Sequence, residues 1–329
     1  MAKRLIVTNG DNTTAGMLSA GFDGELLPWR DMLHDGPVRS GLPLEKLSIL
    51  RAAFLAEQFG GLTDKIAGDF IGRDAKIRAH ASYDRIELWF EHDLYDQLQL
   101  LQLLDFFARE GRSDGLLLMQ AADYLGQQSP DALKALQPTA RLVTQEQFAL
   151  AQKAWAAFTA ETPEPMSAMA FGGETALPYV APALHRMLQE LPAVGSGLSL
   201  TEERCLAALV RGPRGVGALF KVTQEQEEAR FLADLPFFHL LDGLCFGPVP
   251  LLHGLPMRAR QVMQGRDDSG YRAFATAQLM LTDAGRAALD GRFNHVQANG
   301  IARWFGGTYL KAEKLWRRDP AGRLVAPSA

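Results

Sequence analysis

The sequence predicts an α/β protein in two parts: an N-terminal, mostly parallel three-layer sheet domain and a C-terminal, mainly helical, winged-helix-like domain. Three observations carry this. Short apolar runs rich in β-branched residues end in polar turns at residues 4–8, 25–29, 86–90 and 116–119. Helical patterns separate them, which is the alternation of a parallel sheet covered on both faces. After a Gly/Ser-rich stretch at 193–197 the texture changes to short helices. The expected boundaries are 1–162 for the α/β domain, 163–198 for a helical linker region and 199–329 for the second domain.

Each element has a local reason. The first strand, residues 4–8, is closed by Asn9-Gly10, and Thr13 or Thr14 can cap the helix that follows. Residues 25–29 read as a strand running into a turn-rich loop, Arg30 to Pro37. In the helix expected over 43–59, Leu44, Leu47, Leu50 and Phe54 repeat every three or four residues, and Gly60-Gly61 stops it. A further helix is expected over 63–79. The clearest strand, 86–90, enters Glu91-His92-Asp93 and then an apolar helix over 94–108, with Leu100, Leu103, Leu104 and Phe107 on one stripe. Thr144 with Gln147 forms a capping box and opens a helix to about Phe158. Pro163-Glu164-Pro165 breaks the pattern. Beyond 197, helices are expected at 202–210, 216–220 and 224–235, a strand at 276–281, and a helix at 283–289 capped by Thr282.

Bulk composition narrows the function classes. The chain has 329 residues, 47% hydrophobic and 22% charged, enough for two ordinary domains of roughly 100–200 residues each. No run approaches the roughly 18–20 apolar residues of a membrane helix. The basic start at Lys3-Arg4 leads into an apolar run too short for a signal-peptide core. Cys205 and Cys245 form neither a disulfide framework nor a zinc site. A cytoplasmic location and no membrane partner are the expectations. The first 195 residues hold 17 basic and 25 acidic residues, the remainder 17 and 13, so −8 is followed by +4. The second part is therefore the one suited to a polyanion.

Ligands of parallel α/β sheets bind outside the carboxyl ends of the strands. Three segments should converge there: Asn9-Gly10-Asp11, Arg30-Asp31 with His34-Asp35, and Glu91-His92-Asp93. Crowded carboxylates need a cation or raised pKa values. The functional reading is a site for a phosphorylated or nucleotide-like small molecule. Asp11, Asp31 and Asp93 would hold a divalent metal, Mg or Mn. His34, His92 and Asp93 would move protons, and Arg30 would meet phosphate. Asn9, Asp35, Glu91 and Gln97 would complete the lining. The plainer reading makes Asp93 the N-cap of a helix, with Asp96 three residues on, and makes Asp11 and Asp35-Gly36-Pro37 turn formers. The His-Asp pairs at 34–35 and 92–93 resemble those of metal-dependent phosphohydrolases in residue type, but such pairs normally sit on helices. No dinucleotide fingerprint, phosphate-loop lysine or nucleophile elbow is present.

The second domain supplies the rival reading, a ligand-sensing nucleic-acid-binding regulator. Residues 224–235 would be its recognition helix and 258–281 its wing, with Arg258, Arg260, Arg266 and Arg272 toward phosphates. Glu225, Glu227 and Glu228 carry the wrong sign for that helix. The tail interleaves Arg303, Lys311, Lys314, Arg317, Arg318 and Arg323 with Trp304, Phe305, Tyr309 and Trp316. That composition suits single-stranded nucleic acid, and equally a strand that packs its aromatics inward, which is the favoured expectation.

Trp29-Arg30-Asp31 with Asp35-Gly36-Pro37, Leu88 to Asp93 followed by Gln97-Leu98, and a tail of Asn299-Gly300-Ile301, Trp304 to Gly307, Leu310, Trp316-Arg317 and Asp319 occur together. This combination resembles the bacterial family catalogued as domain of unknown function number eighteen thirty-five. The likeness is best over the first 120 or so residues. It implies an α/β fold and a bacterial origin, and it supplies no reaction, cofactor or partner. Where the family's tail would carry an aromatic before the last Asp, this chain has Arg318.

Overall fold

The computed structural model describes residues 3–59, 63–264 and 268–327. The first part runs β1 (Arg4–Thr8), α1 (Asp11–Ser19), β2 (Glu25–Pro28), α2 (Leu44–Phe59), α3 (Thr63–Arg78), β3 (Arg85–Glu91), α4 (Leu94–Arg109), β4 (Leu116–Ala121), α5 (Pro130–Leu136), β5 (Arg141–Leu142) and α6 (Gln145–Phe158). The sheet order is β2-β1-β3-β4-β5. Strands β1 to β4 are parallel, and β5 is an antiparallel edge. The expected mostly parallel sheet is present. Gly60-Gly61, expected to stop α2, lie outside the described residues.

Strand alternation divides the core between two faces. Leu5, Val7, Leu88 and Phe90 join the larger cluster with α2, α4 and α6, whereas Ile6, Trp89 and Met119 face α1 and α5. The junction of β3 with α4 is built as its residues require. Asp93 is the N-cap of α4, accepting from the Asp96 N–H at 3.2 Å. Helix α4 is buried on nearly every face. Its glutamines remain inside because each finds a partner. Gln97 donates to the Glu91 carbonyl, Gln99 to the Asp31 carbonyl, and Gln102 accepts from the Trp29 indole. The Thr144–Gln147 capping box of α6 is formed in both directions.

Helices α7 (Glu164–Ala170) and α8 (Val180–Leu188) follow. They bury Met166, Met169, Val180, Leu184 and Met187 in the same larger core as α4. The break at 193–197 is a docked turn. Ala193 N–H bonds the Leu198 carbonyl, and the His295 N–H bonds the Ser196 carbonyl at 2.7 Å.

The second part runs α9 (Leu200–Ala208), β6 (Arg214–Gly215), α10 (Val216–Gln224), α11 (Asp234–Phe246), β7 (Leu252–His253), α12 (Ala259–Gln264), α13 (Asp268–Thr276), β8 (Gln278–Leu281) and α14 (Asp283–Leu289). It has a separate core around Leu206, Leu219, Phe237, Leu241, Leu252 and Phe274. Two expectations are corrected here. The helix expected over 224–235 is the end of α10 followed by irregular chain, and the third helix starts ten residues later. Pro236 stands in its first turn, where a missing N–H costs nothing, and the apolar run Leu235 to Phe246 extends it. The stretch 258–281, expected as a wing, holds two helices before β8. Arg266 lies outside the described residues.

The tail comprises α15 (His295–Asn299), the hairpin β9 (Ala302–Phe305) and β10 (Thr308–Lys311), and a second short pair, β11 (Arg317–Arg318) with β12 (Leu324–Val325). It returns to the first part, where Phe305, Leu310, Leu315 and Trp316 are buried in the larger core. The Gly306-Gly307 turn lies on the end of α6. A Cβ at Gly307 would overlap the Thr159 carbonyl. Arg318 is buried, donating to the Leu191 carbonyl at 3.1 Å and pairing with Glu203 at 2.8 Å. An aromatic could not make those contacts, which accounts for the arginine. Among the described residues no helix is long and apolar enough to cross a membrane.

Candidate functional site

Strand β1 leads to β2 on one side and β3 to β4 on the other, so the sheet has its switch point between β1 and β3. There the carboxyl ends place Asn9, Glu91, Asp93 and Asp96 together. One oxygen from each of the three carboxylates lies within 4.8 Å of the others, and all three side chains are buried. Asn9 Nδ2 donates to Asp96 Oδ1 at 2.9 Å, and the Glu91 N–H donates to Asp96 Oδ2 at 2.5 Å. Glu91 Oε1 accepts from the Leu125 N–H at 2.7 Å. Gln97 anchors the strand end through the Glu91 carbonyl at 2.6 Å, and its side-chain oxygen is buried without a partner.

Three carboxylates cannot all ionise at such separations without compensation. Burial pushes Asp93 up to about 7, with the Glu91 charge adding to it. Asp96 is raised well above its ordinary value by burial and by the Asp93 and Glu91 charges. Burial raises Glu91 too, against the opposing Leu125 N–H and Asn9 amide. The cluster therefore holds protons near neutral pH, or exchanges them for a cation. The N-terminus of α4 favours negative charge but offsets only about half a charge.

The other expected residues lie elsewhere. Asp11 and Arg30 form an exposed ion pair at 2.5 Å. Asp31 and Arg51 form a fully buried one at 2.8 Å, which Arg51 extends to the Met32 carbonyl. The set Asp11, Asp31 and Asp93, expected to hold metal, is thus not assembled. The trio in place is Glu91, Asp93 and Asp96, because α4 begins immediately after β3 and its first turn folds back over the strand end. His92 lies against Tyr124, tilted, and Tyr179, edge-on, at ring separations of 5.4 and 5.9 Å. Burial lowers its pKa. His34 lies against Tyr95 and Phe231, and burial holds it down at about 4. Among the described residues neither imidazole belongs to the carboxylate group. Asp35 is beside His34, and its carbonyl accepts from Arg51 at 2.5 Å.

Sequence reasoning treated Asp96 only as a capping partner. Its spacing of three from Asp93 on one helix face was the signal available. Tyr124 and Arg230 had none. The irregular chain before α11 passes over this edge, where the Arg230 N–H donates to the Tyr124 hydroxyl and its guanidinium lies 4.7 Å from that ring. No protein-family model matches the chain, and no curated protein matches it.

Proposed function

We propose that this protein binds a phosphorylated small molecule at the β1/β3 edge through a divalent cation, Mg or Mn. The observation that carries the reading is the buried trio Glu91, Asp93 and Asp96 at the topological switch point. Hard cations of this kind take carboxylate oxygens, and Mg keeps open positions for phosphate and water. Asp93 is the group suited to exchange a proton near neutrality. The α1 N-terminus, with Gly10 as a cap that supplies no side-chain hydrogen bond, leaves N–H groups for an oxyanion. The supporting measurement is a thermal melt of the full chain with Mg²⁺ or Mn²⁺, alone and with phosphorylated nucleotides. A cation at 100 times its dissociation constant adds about 2.7 kcal/mol to the folded state. The shift is expected in the parent and absent in Asp93→Asn. An equal shift in both, or none in the parent, rejects the reading.

The rival reading of a nucleic-acid-binding regulator draws on one observation. Three helices with strand order β6-β8-β7 follow the winged-helix scheme, and we propose that relationship for the second part. Its third helix is already engaged, however. His239 of α11 bonds Gln58 and meets Phe59 of α2 edge-on at 6.3 Å. In the tail, Arg303, Arg318 and Arg323 are also committed to partners.

A further inference from the structure

A cavity lies apart from the carboxylate trio, between the loop after β2, α2, α8, α11 and β9. Its volume is about 440 Å³, inside the roughly 300–1,000 Å³ that small-molecule sites occupy. Both parts of the chain contribute its walls. Phe54 comes from α2, Phe231 from the chain before α11, and Trp304 from the tail hairpin. These give flat apolar faces.

The polar groups are few and specific. Asp35 is half-buried and makes no ion pair among the described residues. His239 stands opposite, hydrogen-bonded to Gln58. Burial lowers the His239 pKa, with Asp35 opposing the shift. Glu190 carries its charge, since Arg186 and the Thr201 hydroxyl, both at 2.6 Å, outweigh its burial. Glu202 is also in the lining, and Arg303 is the guanidinium there. Arg186 offsets Glu190, so Asp35 and Glu202 stand against Arg303 and leave one excess negative charge, which favours N–H donors over phosphate.

His34 is at the wall of this cavity, edge-on to Phe231 at 5.3 Å. Both of its ring nitrogens are buried without a hydrogen-bond partner at the wall of this cavity.

We propose that this cavity between the two parts is a binding site for an uncharged or cationic nitrogen heterocycle of nucleoside size, with its ring between Phe231 and Trp304 and its N–H edge on Asp35. The site is separate from the proposed cation site and does not depend on it. Because its walls come from both parts, an occupant would hold them together.

The test is calorimetric titration of the full chain with adenosine, cytidine and tryptamine, and with the 5′-monophosphates of the two nucleosides. At least one of the three uncharged or cationic probes is expected to bind. For a nucleoside that binds, its monophosphate is expected to bind at least tenfold more weakly. Gly243→Trp places a ring into the cavity from α11, where an added Cβ meets nothing within 4 Å. It should abolish binding while leaving the melting temperature of the free chain unchanged or higher. Asp35→Asn should weaken binding at least tenfold. Asp93→Asn should leave it intact, which separates this site from the cation site. Silence from all three probes, binding of a monophosphate as tight as its nucleoside, or full binding by a folded Gly243→Trp chain would each overturn the proposal.

Discussion

Asp93 shows how one carboxyl can be both structural and chemical. It caps α4, yet burial beside Glu91 lifts its pKa from 3.8 to about 7. Between those values the folded chain keeps a proton that the unfolded chain has released. Its contribution to stability is therefore greatest at the acid end of that window and is lost as pH rises toward 7, at up to about 1.4 kcal/mol per unit. Urea denaturation between pH 5 and 8 should show the parent losing stability with rising pH more steeply than Asp93→Asn. Equal slopes would mean that the carboxyl is ionised throughout. Asp31 illustrates the opposite outcome. It stood beside Asp93 in the expected metal set, but Arg51, twenty residues on, had already claimed it. Nothing in the local sequence around Asp31 names that partner. Only the return of α2 against the loop after β2 brings it close.

At the scale of elements, the tail hairpin has the strictest requirement. Gly306 sits at φ 58°, and Gly307 has no room for a side chain under Thr159. Gly307→Ala should destabilise the chain by about 1–3 kcal/mol, the usual range for overpacking. Gly217→Ala is the control, because Gly217 lies in α10 with open space around it. That change should be neutral or stabilising by up to about 1 kcal/mol. Thermal melts of the two variants compare a steric requirement with a mere lack of side chain. If Gly307→Ala melts with the parent, the hairpin is not seated on α6 as described. The Gly-Gly pair was visible in sequence as part of a motif. The reason for it lies 148 residues earlier, at the end of α6.

For the whole molecule, the larger core joins β1 and β3 to α8 and then to Phe305, Leu310 and Trp316 of the tail. The first part is therefore closed by the last thirty residues of the chain. A chain ending at residue 300 should lose cooperative unfolding and the near-ultraviolet circular dichroism of packed aromatics, because it exposes the apolar faces that the tail covers. A truncated chain with the parent's transition would show that the first core is complete without it. The same closure brings Trp304 and Arg303 to the cavity between the parts, so the two proposed ligand surfaces differ in kind. One is made by adjacent strands, the other by segments more than two hundred residues apart.

Local periodicity and capping chemistry were enough to specify β1 to β4, α2, α4 and α6, since those patterns act within a few residues. They also set Asn9, Glu91, Asp93 and Gln97 at one sheet edge, because parallel strands end on the same side. Partner choice was decided only by tertiary structure. Which carboxylates meet, which arginine neutralises Asp31, where His34 is buried and what the tail aromatics cover all depend on contacts between distant segments. Side-chain pairing across such distances leaves no periodic trace in the chain, since its free energy arises only when the packed elements exclude water together.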